Sequence, residues 1–332
     1  MSDKAPLRAR LVLRDTVEWD ALTDAQVIAA RGKINRLRAS RVARVVTGRP
    51  DRGAWTADET IDLPGRRLRL RVHRGSGGRL PLHRSSGGRL PLHRGSGGRL
   101  PLVLSFHGGG FILGTPAQND WLNSYLAARL PAVVVSVAYR LAPEHPLPAA
   151  VDDGYDTLVG LVADADRWGI DPGAVATFGE SAGGTLAALV ALRAGRPALR
   201  AQVLAYPSVD WTEKMADYPS VAANTGQPGL SVSEWLAARR LAVPRALDPR
   251  DVSPVKAPDV SASPPTLVVT GTLDPAGDHG SAYAERLRAE GVNARVARFP
   301  RAIHGFLSMP GLIPSARPAR DEVLTFLRGA LR

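Results

Sequence analysis

The sequence predicts an α/β protein built on a doubly wound, mostly parallel sheet. Two observations carry that reading. Short continuous apolar runs recur at 102–106, 133–138, 175–178, 203–206 and 267–270, the pattern of strands buried on both faces. Between them lie longer helical stretches at 119–129, 150–162, 183–192 and 280–290, the alternation that parallel strands joined by crossovers require. At 332 residues, the chain accommodates either two average domains or one large α/β core with an appendage.

Taken in order, Thr23-Asp-Ala-Gln26 reads as a capping box that opens a helix through Val27, Ile28, Ile34 and Leu37 toward Ser40. These N-terminal helices, residues 1–55, stand apart from a main unit at 56–332. Residues 61–72 read as one strand with a wet face, because Ile61, Leu63, Leu68, Leu70 and Val72 alternate with arginines from 66 on. The decapeptide His73-Arg-Gly-Ser-Gly-Gly-Arg-Leu-Pro-Leu82 then occurs three times in tandem through residue 102, with Ser85 replacing Gly in the second copy. Two Leu and a Pro per copy are too little apolar surface for a packed solenoid layer, so two copies read as an insertion. Residues 211–245 break the later rhythm with Trp211, Trp235 and a helical piece at 233–241, which suits an insertion over the sheet's C-terminal edge. A short strand at 294–299 closes the series.

Composition removes several classes of function. With no cysteine there is no disulfide framework, thiolate metal site or thiol nucleophile, and a reducing compartment suits the chain. No apolar run reaches the ~18 residues of a membrane span, and the start lacks a signal peptide's apolar region, so the expectation is a cytoplasmic protein without a membrane segment. The net charge of +12 raises nucleic acid as a partner, and residues 66–99 hold ten Arg and no acid. That stretch has no aromatic residue on which a base would stack, so it reads as a solvated basic loop with no nucleic acid bound. The two extra copies supply four of the twelve charges, and arginine outnumbers lysine 39 to 4 throughout, as a codon bias would produce. His73, His83 and His93 recur because the repeat does, and with no carboxylate nearby they are not expected to hold a metal.

The chemistry concentrates in Val175-Ala-Thr-Phe-Gly-Glu-Ser-Ala-Gly-Gly184, where an apolar strand meets Gly179-x-Ser181-x-Gly183 and then a helix. A sharp strand-to-helix turn of this kind lifts the serine hydroxyl above the sheet, and the helix aims its positive end at the charge that develops in acyl transfer. Such a nucleophile needs a base, and the base needs an orienting acid. Asp274 and His304 each follow a strand's carboxyl end, in the chain order Ser, Asp, His. Asp278 is the rival acid, ranked second because it begins the next helix, where capping explains it. Phe106-His107-Gly108-Gly109-Gly110-Phe111 supplies the oxyanion donors: the N–H groups of Gly109, Gly110 and Ala182, with His107 and Gly108 supporting the loop. The P-loop alternative lacks the Lys and Ser/Thr that must follow its glycines.

These residues resemble the bacterial hormone-sensitive-lipase-like (family IV) esterases of the α/β-hydrolase fold. The matching stretches are His107 to Phe111, Tyr139-Arg-Leu-Ala-Pro-Glu-His-Pro-Leu-Pro-Ala149, Gly179 to Gly184, Leu273-Asp-Pro275 with Asp278, and Ile303-His-Gly-Phe306. The resemblance implies a carboxylic-ester hydrolase with Ser181, Asp274 and His304 as its triad, no metal or organic cofactor, and residues 1–55 and 211–245 as a helical cap over the acyl pocket. It also implies short- to medium-chain acyl esters as substrates and a possible homodimer formed through an edge strand or helix, while the segment 139–149 buttresses the oxyanion loop. No long exposed apolar lid is evident in the sequence. Three departures stand out: Glu180 where the family has Asp or Thr, Ala276-Gly277 where it has Leu-Arg, and the repeat, which lengthens a connection ahead of His107. An amide or N-acetyl hydrolase on the same triad is the alternative within this chemistry. A small-ligand receptor on the same fold is the alternative outside it, and the presence of His304 opposes that.

Overall fold

The apolar runs form the centre of an eight-stranded sheet in the computed structural model, which describes residues 4–13, 19–75, 98–195 and 199–332. The strands are β1 (Ala54–Leu63), β2 (Arg66–Gly75), β3 (Leu100–Phe106), β4 (Val133–Val137), β5 (Ile170–Glu180), β6 (Ala201–Ala205), β7 (Thr266–Leu273) and β8 (Ala294–Ile303), in the order β1-β2-β4-β3-β5-β6-β7-β8. The β1–β2 and β2–β4 pairs are antiparallel and the rest are parallel.

The reading of 61–72 as one strand is corrected to a hairpin. Leu63 pairs with Arg66 across Pro64-Gly65, and Gly65 takes φ 71°. Pro64 has no N–H for the ladder and Gly65 supplies the positive φ, so the chain reverses there. The apolar positions record the turn: they are odd-numbered at Ile61 and Leu63, then even-numbered at Leu68, Leu70 and Val72.

The helices are α1 (Leu7–Val12), α2 (Asp24–Arg38), α3 (Arg44–Thr47), α4 (Asp120–Arg129), α5 (Ala149–Ala163), α6 (Ala165–Trp168), α7 (Ala182–Ala194), α8 (Pro219–Asn224), α9 (Val232–Ala242), α10 (Gly277–Ala289) and α11 (Ala316–Ala330). Because alternate strand residues face opposite ways, the buried runs feed two cores. Leu102, Leu104, Val135 and Val175 pack with Leu158 of α5, Leu186 of α7 and Tyr283 of α10. Val103, Val134, Phe178 and Val269 pack with Leu126 of α4 and Val323 and Leu327 of α11. The sheet is thus covered by helices on both sides, and its parallel strands bring their carboxyl ends to one edge.

Two segments lie over that edge. The capping box of α2 forms as expected: the Gln26 N–H donates to Thr23 Oγ1, and the Gln26 side chain accepts from the Thr23 N–H at 2.8 Å. Farther along α2, the Asn35 amide donates to Gly114 O at 3.2 Å and accepts from Gly114 N at 3.1 Å, while Arg31 pairs with Glu144. The interruption at 211–245 holds α8 and α9 and no strand.

The repeat meets the sheet at the other edge. His73 to Gly75 end β2 and Leu100 begins β3; the rest, 76–97, with His83 and His93, which were not expected to hold a metal, lies outside the described residues. Arg74 and Leu102 flank Val133, the first residue of β4, so the described ends of the repeat stand at the opposite end of β3 from His107. His73 is buried with Nε2 3.1 Å from Asp120 Oδ1, and Asp120 also accepts from Nε and Nη2 of Arg71.

Candidate active site

β5 ends at Glu180 and α7 begins at Ala182, which leaves Ser181 alone to turn the chain. It does so at φ 54°, ψ −123°, a conformation that costs an L-residue about 1–3 kcal/mol and persists only where the surroundings impose it. The flanking glycines permit the turn. A Cβ on Gly179 would lie 1.9 Å from Gly183 O, and one on Gly183 would lie 2.3 Å from Phe106 O. The Gly-x-Ser-x-Gly spacing is therefore a steric requirement of this turn.

Three strand ends then converge. Ser181 Oγ lies 2.8 Å from His304 Nε2, and His304 Nδ1 lies 2.9 Å from Asp274 Oδ1. A carboxylate only accepts, so Nδ1 carries the proton and Nε2 is left to accept from the serine hydroxyl. Asp274 is fully buried; its Oδ1 also accepts from Ala276 N at 2.8 Å, and its carbonyl accepts from Asn224 Nδ2 at 3.2 Å. Burial pulls the His304 pKa down, but the charge and hydrogen bond of Asp274, with smaller contributions from Glu234 and Glu180, leave it above the ordinary 6.5.

The rival acid lies elsewhere. Asp278 Oδ2 accepts from Ser220 N at 2.8 Å, in the first turn of α8, and its own N–H donates to Ser220 Oγ. The expectation that it caps its own helix is corrected: it caps α8, because Ser220 faces it across the fold. Helix α10 has Ala276 at its N-cap and no side-chain cap.

Gly109 and Gly110 line the same cavity as Ser181 and His304, and Ala182 heads α7, where the first N–H groups have no partner within the helix. His107 lies behind the loop. Its ring stacks on Tyr139 at 4.3 Å, and burial lowers its pKa to about 4, so it is neutral near pH 7. Nδ1 is 2.9 Å from Gly108 O, which only accepts, so Nδ1–H is the donor there; Tyr139 OH donates to His107 O at 2.7 Å. Arg140 next to it grips the buried Asp153 of α5, anchoring the segment 139–149.

Glu180, 2% exposed, ties these parts together. Its carboxylate accepts from Tyr206 OH, from Ser308 Oγ at 2.8 Å, from Asn119 Nδ2 at 2.6 Å and from Gln118 Nε2 at 3.3 Å. Gln118 Nε2 also reaches Gly108 O, and the Tyr206 ring packs edge-on to His304 at 5.1 Å. The Ser181 turn, the glycine loop after His107 and the loop that carries His304 thus share one carboxylate.

Sequence reasoning missed Tyr206, Ser308, Asn119 and Asn35. Tyr206 carried a signal, since it follows a buried strand's carboxyl end, and Ser308 sits four residues after His304. The partner of Asn35, Gly114, is too distant in the chain for any pattern to reveal.

The cavity above Ser181 measures about 480 Å³ and is largely apolar, walled by Leu37 and Val42 near α2 and α3, by Leu230, Trp235 and Ala238 around α9, and by Trp211. Among the described residues, no group of three or more His, Asp or Glu is placed to hold a metal ion, and no helix is long and apolar enough to cross a membrane.

Residues 103–308 match the alpha/beta hydrolase fold family. Relatives include Esterase LipI of Mycobacterium tuberculosis, 37% identical over 239 residues that cover 69% of this chain and 73% of that protein. The Ethyl acetate hydrolase of Pseudomonas putida is 36% identical over 237 residues, 69% of this chain and 72% of its own. A solved esterase from Pyrobaculum calidifontis superposes with a TM-score of 0.83 at 31% identity, over 99% of this chain and 100% of that one.

Proposed function

The chain belongs to the hormone-sensitive-lipase-like α/β hydrolases and is a carboxylic-ester hydrolase, and we propose that it works through an acyl-enzyme formed on Ser181. Ser181 Oγ attacks the ester carbonyl carbon while its proton passes to His304 Nε2. The carbonyl oxygen becomes an oxyanion that accepts from the N–H groups of Gly109, Gly110 and Ala182. The C–O bond to the alcohol breaks, the proton on Nε2 goes to the departing oxygen, and the acyl group remains on Oγ. Water then attacks the acyl carbon, giving a proton to His304, and the second collapse returns that proton to Oγ and releases the carboxylic acid. Asp274 keeps Nδ1 protonated and holds the imidazolium that forms twice in each cycle.

The observation that carries this reading is the pair of hydrogen bonds on His304, 2.8 Å to Ser181 and 2.9 Å to Asp274. Residues 1–55 and 211–245 act as the cap, because side chains from both segments wall the cavity. A cavity of about 480 Å³ lined mainly by apolar side chains suits short- to medium-chain acyl esters. A cysteine-free chain fits a cytoplasmic setting.

Hydrolysis of p-nitrophenyl esters of increasing acyl length by the wild type and Ser181→Ala tests the mechanism. The expected outcome is activity greatest on short chains and a loss of about 10⁴-fold or more in the variant. Ester turnover that survives Ser181→Ala in a folded protein would overturn it.

A further inference from the structure

Seven of the nine large apolar side chains that stand exposed among the described residues lie between residues 7 and 45. Leu7, Leu11 and Val12 are 55–64% exposed, and Leu37, Val42 and Val45 are 68–77% exposed. Leu7 and Leu11 are four apart on α1, hence on one helix face. The segments are contiguous in space, because Val12, Leu37 and Val42 also wall the cavity above Ser181. Val12, Leu37 and Val42 therefore rim the active-site mouth, and Leu7, Leu11 and Val45 extend the exposed apolar surface along the same short segments. It is built from three short pieces of chain, so no single run in the sequence reveals it.

That rim is also basic. The first 50 residues hold eleven Lys and Arg against five Asp and Glu, half of the whole chain's net charge of +12. From residue 25 to residue 50 there are seven basic residues and no acid. Arg8, Arg10, Arg41 and Arg44, beside the exposed apolar positions, are themselves exposed.

We propose that this N-terminal face docks on an anionic lipid surface, with the apolar rim entering the interface, the arginines meeting lipid phosphates and the active-site mouth opening onto the bilayer. Apolar side chains ringed by cations are the combination that binds such interfaces, whereas a merely soluble surface has no reason to gather its exposed apolar groups in one place. A second copy of the chain fits less well, because a two-fold contact would set the same arginines against each other. The inference goes beyond ester hydrolysis, and vesicle binding would stand even if Ser181 proved inert.

Flotation with vesicles of phosphatidylcholine containing about 30% phosphatidylglycerol, compared with phosphatidylcholine alone, reads the binding. The expected result is about tenfold more protein bound to the anionic vesicles, with the difference lost at about 0.5 M NaCl. L7D/L11D/V45D and, separately, R41E/R44E should each lower binding severalfold while retaining hydrolysis of soluble p-nitrophenyl acetate without vesicles, which checks their folding. Equal binding to both vesicle types, no binding to either, or binding unchanged in both variants would overturn the proposal. So would a solution dimer that L7D/L11D/V45D converts to a monomer, which would assign the face to a second copy.

Discussion

The two ends of strand β3 tolerate very different changes. At its start, the connection from β2 carries two additional decapeptides, while the described strands on either side keep an unbroken register against β4 through Arg74 and Leu102. At its finish, in the loop that begins at His107, a single methyl group has no room: a Cβ on Gly109 would lie 2.3 Å from Leu113 O, at φ 127°. The difference is one of constraint. The amino edge of the sheet needs only chain closure, whereas the carboxyl edge must hold the strained Ser181, its hydrogen bond to His304, that of His304 to Asp274 and the glycine loop in mutual register.

The sharpest tests of the carboxyl edge are the largest in effect. Asp274→Asn preserves shape but removes the charge that holds the imidazolium, and its amide NH2, turned toward Nδ1, selects the His304 tautomer that carries its proton on Nε2 and no longer accepts from Ser181. A fall in kcat of about 10³–10⁴-fold is expected with the fold intact by circular dichroism. A loss under tenfold would mean that Asp274 is not the orienting acid. Gly109→Ala comes next. Its Cβ strains the oxyanion loop by about 2–3 kcal/mol, and misplaced donors lower kcat by about 10²-fold while KM changes little, readable in steady-state kinetics.

Glu180→Gln is a finer probe of the same edge. The amide keeps much of the network around Tyr206, Ser308 and Asn119, so kcat is expected to fall only about tenfold. The pH dependence separates charge from shape. His304 must be neutral to take the serine proton, so wild-type kcat/KM falls as pH drops through a pKa raised above 6.5. Negative charge at Glu180 contributes to that rise, so its removal lowers the His304 pKa and moves the acid limb to lower pH. An unmoved limb would leave Glu180 a purely structural part.

This contrast also explains what was legible in the sequence. Ser181 between Gly179 and Gly183 was readable because the turn itself is local: a Cβ on Gly179 would strike Gly183 O, four residues on, although the clash that demands Gly183 comes from Phe106 O at the distant end of β3. Asp274 and His304 were readable because parallel strands deliver their carboxyl ends to one edge, so position after a buried run predicts convergence. What depends on contacts between distant segments was hidden. Asp278 caps a helix 58 residues away, Asn35 holds Gly114 from 79 residues away, and the exposed rim of Val12, Leu37 and Val42 exists only once three segments meet. Reading 61–72 as one strand overlooked the hairpin at Pro64-Gly65, although the shift in parity of the apolar positions was present and the turn chemistry was local.

The smallest expected effect tests the permissive end. Deleting residues 76–95 joins Gly75 to Ser96 and restores a single decapeptide, His-Arg-Gly-Ser-Gly-Gly-Arg-Leu-Pro-Leu, between β2 and β3. The chain must then pass from Arg74 to Leu102 across one intervening strand, about 10 Å, and the seven residues left between them reach roughly twice that distance. Closure is therefore unstrained. Shortening the link between Gly75 and Leu100 from 24 residues to 4 removes loop entropy from the unfolded chain, which stabilises the fold by about 1–2 kcal/mol. Thermal denaturation should show a Tm raised by a few degrees, about 2–4 °C for each kcal/mol at this size, and ester hydrolysis within about twofold of the wild type. A marked loss of activity would show that the repeat acts across the full length of β3 on the His107 loop, and the two ends of the sheet would then not be independent.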